Sequence, residues 1–231
     1  MDALWLLVGA YLLGAVPFGY VLARAKGVDI FQVGSGNIGA TNVDRALGRV
    51  AAALVLVLDV LKGWIPPVLA WHVVAPPEWL HGRQELAVAA GLAAVLGHCF
   101  SVFLGLRGGK GVASGVGVLL GAVWPLGLIA IVVFVLVMAA SRFVSLASIL
   151  GALSVVPGSW LLGYEPRVVM GLTVLVALIW VRHRANIGRL LAGTERRFGE
   201  RAPAASSRGG ASSNAEEAVR RSGANEGSPG T

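Results

Sequence analysis

Residues 112–140 read VASGVGVLLGAVWPLGLIAIVVFVLVMAA, 29 residues without a charge. A hydrocarbon core of about 30 Å takes roughly 20 apolar residues in a helix. The run is too long for one crossing and short for two, so its flanks decide. Arg107 and Lys110 precede it and Arg142 follows it. Basic residues gather in the short loops on the cytoplasmic side, so both ends belong to that side and an even number of crossings joins them. Trp124-Pro125, near the middle, supplies the break. The run is predicted to be a helical hairpin turning there, with arms of roughly 20 Å each by helical rise. Arms that short are partly re-entrant or thin the bilayer around them.

Outward from the hairpin, the length criterion marks 3–22, 50–72, 86–104, 145–162 and 168–181, the last rather short. The second of these contains Asp59, Lys62 and Pro66-Pro67, and the third contains His98. Loop 23–49 carries Arg24, Lys26, Arg45 and Arg49, and the segment after 181 is rich in arginine from Arg182 to Arg201. The two remaining loops offer only Arg83 and Arg167. The prediction is an all-α integral membrane protein of seven transmembrane helices, N-terminus outside and C-terminus inside, with short helices around a cytoplasmic-side site. Residues 1–201 form the membrane-embedded domain. Residues 202–231, Ala/Ser/Gly-rich with balanced charge, read as a disordered cytoplasmic tail. Run 3–22 follows Met1-Asp2 with no basic segment before it, so it reads as a retained span rather than a cleaved signal.

Composition agrees. The chain is 56% hydrophobic and 13% charged, where a soluble domain carries about 25% charged residues. One cysteine, Cys99, excludes an internal disulfide framework and a cysteine-only zinc cage. The net charge of +7 does not point to nucleic acid. The cations lie between apolar runs with few aromatics beside them, as orientation against an anionic inner leaflet requires.

Four polar clusters fall at that inner boundary. The first, 34–45, reads GSGNIGATNVDR. Gly34, Gly36 and Gly39 let backbone N–H groups turn toward one point. Ser35, Asn37, Thr41 and Asn42 add neutral donors, and Arg45 adds a forked cation suited to phosphate. The stretch reads as a phosphate cradle at a membrane surface, against the plainer reading of a solvated loop. The second cluster is 106–111, LRGGKG, at the start of a helix. Gly108, Gly109 and Gly111 free N–H groups where the helix dipole favours an anion, and Lys110 adds a point charge. The third is Ser145, also at a helix start. The fourth is 183–195, where His183 and Asn186 share a helical face that Arg189 continues.

Other polar residues have structural readings beside functional ones. Gly34-x-Gly36-x-x-Gly39 with Asp59 twenty residues on spells a dinucleotide fingerprint. That motif needs a strand–helix–strand unit, and a membrane-length run follows instead. Gly109-Lys110 is no P-loop, because Gly111 and Leu104 occupy the Ser/Thr and first-glycine positions. Asp59 and Lys62 read as a structural intramembrane pair, with direct substrate contact by Lys62 as the alternative. His98 reads as a helix–helix hydrogen bond or as a site residue. His72 and His81 belong to the outer face and read as ordinary. The four histidines show no metal spacing, and no Gly-x-Ser-x-Gly elbow is present.

Together these residues resemble one family, the bacterial acyl-phosphate:glycerol-3-phosphate acyltransferases. Residues 35–45 resemble its first motif, and Asp59-Val-Leu-Lys-Gly63 its Asp-x-x-Lys-Gly element. Gly97-His-Cys-Phe with Gly108-Gly-Lys-Gly-Val112 resembles the second motif. Ser145-Leu-Ala-Ser148 and His183…Asn186-Ile…Gly193-Thr-Glu195 resemble the rest, in family order over residues 5 to 200. Ser101 stands where proline is usual, Gly105 where lysine is common, and Ser114 where threonine is common. The resemblance implies acyl transfer from acyl phosphate to the sn-1 hydroxyl of glycerol 3-phosphate at the bacterial inner membrane. It implies no cofactor, and a phosphate:acyl-carrier-protein acyltransferase as source of the donor. On this reading Ser35, Asn37, Thr41 and Arg45 stabilise phosphate and carbonyl oxygen. Lys110 and the 108–111 backbone hold the other phosphate. Ser145, His183 and Asn186 orient glycerol 3-phosphate, with His183 the candidate base. Asp59, Lys62, His98 and Glu195 support, Glu195 by anchoring a basic residue. A carrier for a phosphorylated anion is the competing class, because broken helices also occur in transporters.

Overall fold

The computed structural model describes residues 2–78, 80 and 82–199, and over these the chain is helical, with one isolated bridge between Ser101 and Arg107. The first span is α1 (Ala3–Ala15) and α2 (Phe18–Ala25), interrupted at Val16-Pro17. Backbone carbonyls freed by a break inside lipid need another donor. Here Ser101 Oγ donates to Ala15 O at 2.6 Å and Lys62 Nζ donates to Val16 O at 2.8 Å. Ser101 and Lys62 therefore satisfy the broken span.

A short amphipathic helix, α3 (Ala40–Leu47), leads into α4 (Arg49–His72), which keeps Pro66 and Pro67 inside it. Next come α5 (Arg83–Cys99), α6 (Val112–Ala122) and α7 (Trp124–Ser141). They are followed by α8 (Val144–Leu153), α9 (Val155–Leu161), α10 (Pro166–Arg182) and α11 (Arg184–Leu191). Four helical stretches are long and apolar enough to cross a bilayer alone: Ala3–Ala25, Arg49–His72, Trp124–Ser141 and Val144–Leu161. The pair α10–α11, bent by 58°, makes a fifth. At 17 and 11 residues, α5 and α6 fall below that length.

The 112–140 run does break where Trp124-Pro125 stands, but its arms are unequal. α6 has 11 residues and α7 has 18, about 16 and 27 Å by helical rise. Pro125 begins a helix, where its missing N–H costs nothing, so the break falls ahead of it at Val123. Gly127 then rests against Leu120 across the turn.

Small residues hold the helices together. On α4 and α6, Gly63 meets the backbone of Ser114 and Gly117 that of Val60; on α1 and α5, Gly14 meets Ala94 and Gly97 meets Tyr11. Between membrane helices, which lack a hydrophobic driving force, such close backbone approach supplies the packing. Around these contacts lie the buried Leu86, Val95, Val118, Leu126, Leu172 and Leu175. Gly105 has φ 60° and ψ 46°, a left-handed conformation that glycine adopts without strain. His81 and the proposed tail 202–231 lie outside the described residues.

Candidate active site

Glycine conformation shapes the first loop. Gly34 and Gly36 have φ of 57° and 64°. Asn42, buried at the start of α3, accepts from the Ser35 N–H at 2.9 Å and donates to Val33 O at 2.9 Å and Ile30 O at 3.3 Å. Both ends of its amide hold the loop in shape, so its work is scaffolding rather than substrate donation. Asn37 Oδ1 accepts from the Gly39 N–H at 2.8 Å, turning the chain into α3.

The loop forms one wall of a cavity of about 620 Å³. Gly34, Ser35, Asn37, Gly39, Thr41, Asn42 and Arg45 line it from one side; Lys110, Gly111, Ser145, His183, Asn186 and Glu195 line it from others. Ser35, Arg45, Lys110 and His183 thus share one space although they are up to 148 positions apart in the chain. Asp59 and His98 also reach it. Gly36, Lys62, Gly108 and Gly109 do not.

Two of those exclusions correct the sequence reading. The Gly109 N–H, expected to face a phosphate, donates to His98 O at 3.0 Å. The Gly108 and Gly109 carbonyls accept from Arg182 Nη2 at 2.9 Å and Nε at 3.0 Å. A Cβ on Gly109 would enter the His98 ring, and one on Gly108 would meet the backbone of His98 and Cys99. These glycines seat the turn on the end of α5. Lys62 is likewise structural: its ammonium pairs with Asp59 Oδ1 at 2.7 Å and lies over the Phe18 ring at 5.4 Å. His98 Nδ1 stands 3.7 Å from Asp59 Oδ1, beyond hydrogen-bond length.

A connected network fills the opposite wall. Lys110 Nζ donates to Asn186 Oδ1 at 2.6 Å, and Asn186 Nδ2 donates to Glu195 Oε1 at 2.7 Å. Ser145 Oγ donates to the same oxygen at 2.7 Å, and Arg189 Nε donates to Glu195 Oε2 at 2.6 Å. Burial works against ionisation of Glu195, but these three donors hold its carboxyl below the usual range. Burial pushes the Lys110 ammonium down to about 8; Glu195 opposes the fall, while Arg189, Arg45 and Arg182 add to it. Burial and the nearby Arg196 also lower Arg45.

His183 follows the end of α10, and its Nδ1 lies 2.7 Å from Ile179 O. A carbonyl only accepts, so Nδ1 carries the proton and Nε2 keeps a lone pair.

The sequence reading gave no role to four polar lining residues: Ser148, Arg189, Thr194 and Arg196. It also left out Arg182, which stands behind the wall. Arg189 was visible only as a continuation of the His183–Asn186 face, and the other arginines only as topology markers. With them the lining carries Arg45, Lys110, Arg189 and Arg196 against Asp59 and Glu195, four positive groups to two negative. Such a space attracts anions. Its remaining wall is apolar, formed by residues such as Leu56, Val116, Ile131, Phe134, Val155 and Val176. Among the described residues no group of three His, Cys, Asp or Glu side chains is placed to hold a metal ion.

Comparison with known proteins gives this arrangement a lineage. Residues 4–193 match the family model described as glycerol-3-phosphate acyltransferase. A glycerol-3-phosphate acyltransferase of Aquifex aeolicus is 45% identical over 198 residues, covering 86% of this chain and 100% of the relative. One from Rubrobacter xylanophilus is 45% identical over 203 residues, covering 87% and 97%. The chain is also similar to crystal structures of PlsY (YgiH), an integral membrane glycerol 3-phosphate acyltransferase. Its glycerol 3-phosphate form has a TM-score of 0.79 at 44% identity, covering 85% of this chain and 96% of that one. Its lysophosphatidic acid form has a TM-score of 0.77 at 44% identity, covering 85% and 95%. The match runs from α1 through α11 and takes in both glycine-rich loops, so this integral membrane chain belongs to the glycerol-3-phosphate acyltransferase family.

Proposed function

We propose that the chain transfers an acyl group from acyl phosphate to the sn-1 hydroxyl of glycerol 3-phosphate, giving 1-acylglycerol 3-phosphate and inorganic phosphate. The observation that carries this reading is the cavity itself, lined in part by cations and over the rest by apolar side chains. That pairing suits two phosphorylated substrates of which one has a fatty chain. The glycerol 3-phosphate and lysophosphatidic acid forms of the similar PlsY structures are consistent with it.

In the reaction the hydroxyl oxygen attacks the acyl carbonyl carbon, the carbon–oxygen bond to phosphate breaks, and phosphate departs. Acyl phosphate is already activated, so no covalent enzyme intermediate is needed and positioning and charge stabilisation carry the rate. Ser35, Asn37, Thr41 and Arg45 hold the donor's phosphate and the developing oxyanion. Lys110 bonds to Asn186 and, with Ser145, His183, Asn186 and Arg189, holds glycerol 3-phosphate. His183 Nε2 accepts a hydrogen bond from the hydroxyl. The departing phosphate, with a second pKa of about 6, can itself accept that proton. The proton therefore ends on the departing phosphate.

The membrane reading has seven crossings, with α5, α6 and α7 each counted, N-out and C-in, in the bacterial inner membrane. The site opens to the cytoplasm, where a phosphate:acyl-carrier-protein acyltransferase supplies the donor, and no cofactor takes part. Detergent-purified protein with radiolabelled glycerol 3-phosphate and palmitoyl phosphate should form acyl product. Acylation only from a thioester donor, or uptake into liposomes without acylation, would refute the proposal. His183→Gln, which still accepts a hydrogen bond, should keep kcat within about tenfold of wild type. Loss of a general base typically costs about 10²–10⁴-fold, and a drop of that size would make His183 the base.

A further inference from the structure

Arg182 lines no part of the cavity, yet its guanidinium makes three contacts at the site's edge. Nε and Nη2 donate to the carbonyls of Gly109 and Gly108 at 3.0 and 2.9 Å, and the group lies over the Phe100 ring at 5.3 Å. From the other side the same turn is fastened to α5 by the Gly109 N–H on His98 O at 3.0 Å. The next residue in the chain is Lys110, whose ammonium reaches Asn186 Oδ1 at 2.6 Å. Arg182 ends α10 and Asn186 lies on α11, either side of the 58° bend that carries His183. Two bonded links therefore tie the 108–110 turn to that bend, one through Arg182 and one through Lys110.

We propose that Arg182 is a positioning residue: it sets the place of Lys110 relative to His183 and Asn186 by clamping two consecutive carbonyls of the glycine turn. The proposal rests on the acyltransferase reading above. A planar fork can serve two neighbouring carbonyls while its face stacks on a ring; a lysine ammonium has neither the fork nor the face. The glycines explain why the clamp exists. Gly108 and Gly109 lie flat on the end of α5, where any Cβ would collide. They offer no side chain to hold Lys110 in register, so an outside donor does it.

The test uses purified full-length protein and two readouts, kcat/KM for palmitoyl phosphate with glycerol 3-phosphate, and calorimetric affinity for glycerol 3-phosphate alone. R182Q should lower both by about tenfold or more, since a displacement near 1 Å costs on the order of 10²-fold in rate. R182K should fall between R182Q and wild type. Because Arg182 acts through Lys110, R182Q/K110M should bind glycerol 3-phosphate no more weakly than K110M. A role in folding alone would not give that non-additivity. Wild-type affinity and kcat/KM in R182Q would overturn the proposal, as would losses that multiply in the double variant. If R182Q does not fold, R182K is judged by the same criteria. If wild type binds glycerol 3-phosphate but does not use palmitoyl phosphate, the proposed donor is wrong and Arg182 is still decided by affinity.

Discussion

Replacing Lys62 by methionine isolates what the buried charge on α4 does. Lys62 and Asp59 sit 2.7 Å apart with side chains 2% and 4% exposed. Removing one partner of such a pair leaves an uncompensated charge and typically costs about 3–5 kcal/mol. Lys62→Met also removes the 2.8 Å bond to Val16 O at the break between α1 and α2, leaving that carbonyl the Phe18 N–H at 3.2 Å, and a lost hydrogen bond costs about 0.5–1.5 kcal/mol. The single variant should therefore lose stability on the order of 4–6 kcal/mol. Adding Asp59→Asn removes the stranded carboxylate but does not restore the bond to Val16 O. The double variant should recover most of the pair's share and remain about 0.5–1.5 kcal/mol below wild type. Unfolding in mixed SDS–detergent micelles gives the ordering directly: wild type, then the double variant, then Lys62→Met. If the double variant is instead less stable than Lys62→Met, the pair is not what stabilises α4 and the reasoning fails.

Other outcomes follow from the same geometry. Activity should fall as pH climbs through about 8, where Lys110 loses its charge. In Lys110→Arg the alkaline limb should move up with the arginine pKa, in whatever activity remains; an unmoved limb assigns it elsewhere. Ser101→Ala deletes the buried bond to Ala15 O and should cost about 1–3 kcal/mol by the same unfolding assay. Gly34→Ala puts a Cβ against Asn42 Oδ1 at φ 57°, so it should weaken binding of palmitoyl phosphate more than it lowers melting temperature. The reverse pattern would detach this loop from the donor.

Much of the molecule was legible in the chain because the bilayer imposes a length and a charge rule on it. Run 112–140, its flanking cations and Trp124-Pro125 sufficed to place a break between two helices, since lipid forbids unsatisfied backbone and an uninterrupted run of that length overshoots one crossing. Periodicity does not say which side of a proline a helix belongs to, so the equal arms became 11 and 18 residues. Residue chemistry singled out Ser35, Arg45, Lys110, His183 and Asn186, because donors and cations are conspicuous against an apolar background. What each group bonds to depends on neighbours distant in sequence. Only the folded chain shows that Asn42 holds its own loop and that Gly109 gives its N–H to His98. Only there does Glu195 gather Ser145, Asn186 and Arg189, and Arg182 reach across more than 70 residues to two carbonyls. A hydrogen bond is decided within a few tenths of an ångström, and no local pattern in the chain carries that information across such separations.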